Sequence, residues 1–73
     1  MGVKSVILND IGKNRDSAVE FYVDADLWAK EHCPSYQEFE MQDVSDVSLV
    51  YDLLARYDFE DEEDVVLFTL KWL

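Results

Sequence analysis

Three stretches of this 73-residue chain carry side chains that could do chemistry. The first is His32–Cys33, the one histidine beside the one cysteine. A Cys–His nucleophile pair must meet in space, but neighbours on a helix point about 100° apart. The pair therefore reads as a partly buried helix end. One His and one Cys also fall short of a zinc site. The second stretch is Asp24-Ala25-Asp26, an aspartate pair of the kind that holds metal ions. A chain this short leaves little scaffold for the pocket and supporting groups that catalysis needs. Two glycines are too few for a Gly-rich phosphate loop. No catalytic, cofactor-binding or metal-binding residue is assigned on these grounds, and an enzyme is not expected.

The third stretch is "DFEDEED", six carboxylates in the seven residues Asp58 to Asp64. A calcium-binding EF-hand loop needs Gly at its sixth position and Glu at its twelfth. Neither requirement is met. A charge run is ordinarily a solvated face, and acids also guard exposed strand edges. Two considerations ask more of this one. Like charges about 6.8 Å apart repel by roughly 0.6 kcal/mol even in water, less with salt. Solubility of a small domain needs a net charge of only about 2–8, whereas this chain carries −11. The sign is also segregated: residues 1–15 are net +2 and residues 16–64 net −14. Such a chain should not bind nucleic acid or an anionic membrane directly. Its natural complement is a basic protein surface or a divalent cation.

Composition and patterning suggest how these groups are held. With 49% apolar and 14% aromatic residues, the chain can pack a core, unlike a disordered acidic tail. Residues 1–73 read as one small domain. "VKSVILND" predicts a strand, and the following Asn, Asp and Gly12 a turn or longer hairpin loop. "SAVEFYVDADL" alternates, with Val19, Phe21, Val23, Ala25 and Leu27 on one side, and predicts a half-buried strand. Asp24 or Asp26 would then cap a short helix that Pro34 stops. "SYQEFEMQD" fits a strand or a helical turn. Asp43 to Phe59 predicts a helix capped by Asp43, because Val47, Val50, Tyr51, Leu54 and Tyr57 recur at helical spacing. "VVLFTLKWL" alternates again and is apolar on both faces, which predicts a final strand, central or at a subunit interface. The expected fold is α+β: an antiparallel sheet of three or four strands with one or two helices. A homodimer with Val65, Leu67 or Trp72 near the contact is the expected assembly. No signal peptide, transmembrane run or myristoylation pattern is read, and a single cysteine suits a reducing cytoplasm.

The expected partner-binding residues follow from these elements. Glu20, Tyr22, Asp24 and Asp26 project from one side of a strand or its end. Glu38 and Glu40 point outward from the ambiguous segment, and Asp43 and Asp46 mark the helix start. Asp58, Glu60, Asp61, Glu62, Glu63 and Asp64 link that helix to the last strand. Tyr36, Tyr57 and Phe59 lie among them, as aromatics do in interfaces with Arg-rich partners. A protein that holds DNA mainly through phosphates reads no sequence by those contacts, so a folded carboxylate surface can stand in for a duplex. In charge, size and the acidic "VEFYVDAD" and "DFEDEED" stretches, the chain resembles the small DNA-mimic inhibitors encoded by bacteriophages. That class includes anti-restriction and anti-CRISPR proteins and inhibitors of uracil-DNA glycosylase and of nucleoid proteins. The resemblance implies stoichiometric occlusion of a basic DNA-binding protein in a bacterial cytoplasm, with no cofactor. The alternative is an acidic interaction subunit, or an antitoxin-like neutraliser, that covers one basic partner without imitating DNA.

Overall fold

Val6 and Leu8, branched or bulky residues two apart, begin the core from a strand that pairs with a later one. The computed structural model describes residues 2–10, 12–47 and 52–73. Their elements are β1 (Lys4–Asn9), α1 (Arg15–His32), β2 (Tyr36–Asp43), β3 (Leu53–Phe59) and α2 (Glu62–Trp72). The strands form an antiparallel sheet of order β1-β3-β2. Both helices pack on one face of it, so the fold is α+β, with three strands and two helices among the described residues.

Three elements differ from the sequence expectation. Residues 17–27 are not a strand; they lie inside α1. Asn14 caps this helix by accepting from Ser17 N at 2.8 Å, and Cys33 closes it ahead of Pro34. Ala18, Tyr22, Ala25 and Ala29 share its buried face, a helical spacing that coexists with the alternation of Val19, Phe21 and Val23. Small alanines let the helix approach the sheet, and no Gly or Pro interrupts the chain between Gly12 and Pro34. Gly12 takes a φ of 75°, which lets the chain leave β1 and enter the helix.

The predicted helix over 43–59 is replaced by the end of β2 and by β3. Asp43 is the last residue of β2 and caps nothing helical; Val50 and Tyr51 lie outside the described residues. Leu53, Ala55, Tyr57 and Phe59 alternate and are all buried against the helices. Between two neighbours, a central strand satisfies its whole backbone ladder, which helical spacing at Leu54 and Tyr57 could not outweigh. The predicted last strand is α2. Val65, Phe68 and Trp72 repeat at helical spacing and pack on the core.

Phe68 is fully buried, with ring centroids 4.8 Å from Tyr57 and 5.2 Å from Phe59. Asp64 O faces the Cys33 sulfur, and Trp72 meets Phe21 edge-on at 5.5 Å. Helix α2 thus runs back along α1. Among the described residues, no helix is long and apolar enough to cross a membrane.

Three tyrosines hold the layers together. Tyr22 Oη donates to the Leu53 carbonyl at 2.7 Å, and Tyr57 Oη donates to the Tyr22 carbonyl at 2.8 Å. Tyr36 Oη donates to Asp26. Burial pushes the Tyr22 phenol up to about 12, and pushes Tyr36 and Tyr57 higher still. An unfolded chain ionises these phenols at about 10, so it holds fewer protons than the folded one above that pH. The stability that these tyrosines contribute is therefore complete below pH 10 and falls as pH rises beyond it. Ultraviolet absorbance of tyrosinate should show these three residues ionising together with the loss of the circular dichroism signal. A smooth, early titration of all four tyrosines in a chain that stays folded would contradict this.

Candidate partner-binding surface

The carboxylates divide by environment, and the acidic run shows the division most clearly. Asp58, Asp61 and Asp64, spaced three apart, make bonds that hold the fold, although Asp61 itself is exposed. Asp58 is buried; it accepts from Ser5 Oγ at 2.7 Å and lies 3.2 Å from Arg56 Nε, an ion pair off hydrogen-bond angle. Asp61 is the N-cap of α2 and accepts from Glu63 N at 3.0 Å. Asp64 accepts from both the amide and the hydroxyl of Ser35, at 2.9 and 2.6 Å. Ser35 Oγ in turn accepts from Asp61 N at 3.0 Å. These bonds fasten the start of α2 to the turn between α1 and β2. Glu60, Glu62 and Glu63 are left exposed. Glu62 and Glu63 occupy the first turn of α2, where the helix dipole favours negative charge. The run is therefore a helix start rather than a loop between a helix and a strand. Lys4 lies across a shallow depression from Glu60, Asp61 and Glu62.

Two other predicted contact residues, Tyr22 and Asp26, are also internal, while Asp43 is exposed but paired. Tyr22 is fully buried, and Asp26 is buried between Tyr36 Oη and Lys30 Nζ, the latter at 3.0 Å. On a helix, Glu20 and Asp24 face outward while Tyr22 and Asp26 turn inward, so the four do not share a side. Asp43 accepts from Ser45 and pairs with Arg15 at 2.9 Å; the Ser45 amide and hydroxyl, then Arg15, hold its carboxyl down at about 2. Asp10, absent from the expected set, is buried and accepts from Asp52 N and Leu53 N, each at 3.2 Å. It fixes the entry to β3. An Asp before a Gly-containing turn was the available signal.

Two further groups of exposed acids lie on opposite sides of the molecule. On the open face of the sheet, Glu38, Glu40 and Gln42 stand opposite Asp58, Arg56 and Leu54. Arg56 neutralises much of this side, since it also bonds Glu40 at 3.0 Å. On the helix layer, Asp16, Glu20 and Asp24 stand one turn apart on α1 and are all exposed. No ion pair or hydrogen bond to their carboxylates is present among the described residues. Most nearby cations are engaged elsewhere: Arg15 with Asp43, Lys30 with Asp26, and Lys13 over the Phe21 ring at 4.4 Å. Asp46 is exposed in the turn after β2. The helix layer thus presents an uncompensated negative ridge on a rigid element.

His32 and Cys33 point apart. The His32 ring lies against Trp28, with centroids 4.7 Å apart, and is exposed; Cys33 is buried, and burial, then Asp64, pushes its thiol up. A raised thiol pKa opposes thiolate formation. Among the described residues, no group of three or more His, Cys, Asp or Glu side chains is placed to hold a metal ion. No family model matches the chain, and no curated protein or solved structure is significantly similar to it.

The divided acidic run makes a stability prediction. Asp61→Ala removes the N-cap and should cost about 1 kcal/mol. Replacing Glu60, Glu62 and Glu63 together by Gln removes mutual repulsion and dipole attraction, which oppose each other. With those terms opposed, the triple change should stay within about 0.5 kcal/mol in all. Urea unfolding followed by circular dichroism measures both. A triple variant less stable than Asp61→Ala would place the structural role on the wrong carboxylates.

Proposed function

We propose that this chain is a non-enzymatic inhibitor that occupies the DNA-binding surface of a basic protein. It acts by presenting carboxylates where that surface expects phosphates. The observation that carries the reading is the ridge Asp16, Glu20 and Asp24 on α1, exposed and without counter-charges. A flexible acidic tail would relax its repulsion by extending; a helix that is packed on a sheet cannot. The longest dimension of the molecule is 33 Å, close to one turn of a duplex at about 34–36 Å. A duplex of that length carries roughly 19 phosphates, against a net −11 here. The field is about half as dense, which suits charge-steered association more than a replica of the double helix.

A second reading, a neutraliser of one basic partner without mimicry, has its own support. Val66 and Leu70 on α2 are 53% and 79% exposed, and a duplex offers no such apolar strip on its phosphate surface. Competition separates the two. Immobilised basic DNA-binding proteins of several unrelated kinds should retain this chain at about 50 mM salt and release it by about 500 mM, as the Debye length shrinks. Duplex DNA should displace it from each. Retention by one protein alone, undisturbed by duplex, would favour the neutraliser. Binding that does not weaken with salt would sink both.

A further inference from the structure

Strand β1 pairs with β3 along one edge, and no strand lies along its other edge among the described residues. The opposite edge of the sheet belongs to β2. An open edge invites pairing with another chain, and charges, bulges or prolines ordinarily prevent it. β2 is guarded in this way: Glu38, Glu40 and Asp43 lie along it, and its register shifts between Tyr36 and Glu38. β1 is not. It offers one charge, Lys4, at its start, and then Val6, Ile7 and Leu8 in a row. Ile7 is half exposed on the open face of the sheet.

Helix α2 bounds this edge from above. It lies chiefly over β1, while α1 lies over β2 and β3. Phe68 and Trp72 of α2 face Trp28 of α1. Val66, Leu70 and Leu73 stand on the far side of α2 and are exposed. They therefore overlook the open edge of β1, and the unpaired edge and the apolar strip share one side of the molecule.

We infer that the open edge of β1 receives an extended segment of the partner as a fourth strand, with side chains alternately apolar and basic. This rests on the basic-partner reading above. Backbone pairing with β1 supplies affinity, and the alternate side chains supply selectivity. One set continues the line of Val6 and Leu8 beside Val66 of α2. The other set emerges on the open face of the sheet, where Glu38, Glu40 and Asp58 outnumber Arg56 and favour cations. A second copy does not fit here. Two β1 strands paired antiparallel about a two-fold axis would stand about 4.8 Å apart, and the two α2 helices above them would be brought to nearly that separation. Packed helices need about 8–10 Å between axes. A lone strand brings no helix of its own. The homodimer expected from a two-faced last strand loses its other basis as well, because Val65 and Trp72 turn into the core.

Hydrogen exchange followed by nuclear magnetic resonance tests the edge directly. The probe is a synthetic peptide of about eight residues alternating Val and Lys, with a peptide of the same composition in two blocks as control. At about 50 mM salt the alternating peptide should bind at least about tenfold more tightly than the control. It should slow exchange at alternate backbone amides of β1 by at least about tenfold and leave those of β2 unchanged. Val66→Ser should weaken binding by about threefold, and its circular dichroism melt should match the parent, because Val66 is exposed. Binding of both peptides without protection of β1 would overturn the strand addition and leave the charge-driven function standing. Failure of the alternating peptide to bind would overturn the strand addition as well, with the function still judged by competition against duplex. Protection of those β1 amides in the free protein, together with a dimer by light scattering, would assign the edge to a second copy and overturn the inference.

Discussion

Tyr57 sits where all five elements meet. It pairs with Val6 of β1 and with Phe39 of β2, whose ring stacks on it at 5.1 Å. Phe68 of α2 covers it, and its hydroxyl donates to the Tyr22 carbonyl of α1. Tyr22 returns the connection by donating to Leu53, four residues upstream on the same strand. A buried phenol without a partner would cost about 1–3 kcal/mol. The position of α1 over β3 is therefore fixed by polar satisfaction as well as by packing. Small alanines on α1 allow that approach, and an aromatic shell of Phe39, Phe59, Phe68 and Tyr36 fills what they leave open. The surface charges are held at fixed spacing only because this centre is rigid.

The same economy of partners explains the acids. A buried carboxylate is tolerated when donors reach it. Asp10 has two backbone amides, Asp26 a phenol and an ammonium, and Asp58 a serine and an arginine. Each joins segments distant in sequence. The local cations are largely absorbed by these and similar pairs, so the remaining acids face solvent with little to offset them. The high negative charge of the surface follows from 17 acids against six bases, and Lys30 and Arg56, themselves partly exposed, are each committed to a buried acid.

The class of the fold was legible in the sequence, but the identity of three elements was not. β1 was plain because "SVIL" admits one reading. In residues 17–27 the alternation of Val19, Phe21 and Val23 competes with the helical set Ala18, Tyr22, Ala25 and Ala29; an uninterrupted run of 18 residues exceeds the usual strand length of 3–10. In α2 the deciding signs were present at its ends: Asp61 as cap, acids in the first turn and Lys71 in the last. Those acids draw attention as charge and so hide their role as a helix start. β3 was the hardest, because Leu54 and Tyr57 also fit a helix and only the two neighbouring strands decide between them. At the surface, Glu20, Asp24 and Glu63 were correctly expected to be exposed. Tyr22, Asp26 and Asp58 were not, since their burial depends on contacts with distant segments.

Rigidity and repulsion together set what the ridge can do. Like charges one helical turn apart destabilise a helix by about 0.2–0.5 kcal/mol per pair. Asp16–Glu20 and Glu20–Asp24 are two such pairs, so the ridge costs less than about 1 kcal/mol, well within what one buried aromatic contributes. The fold can therefore carry it without a metal or a counter-ion network. A cationic partner that binds only the folded chain removes that repulsion and adds its binding free energy to the stability of the native state. Under the proposed function, charge that slightly weakens the isolated molecule would strengthen a complex with a cationic partner, most of all one whose positive charge is also fixed in place.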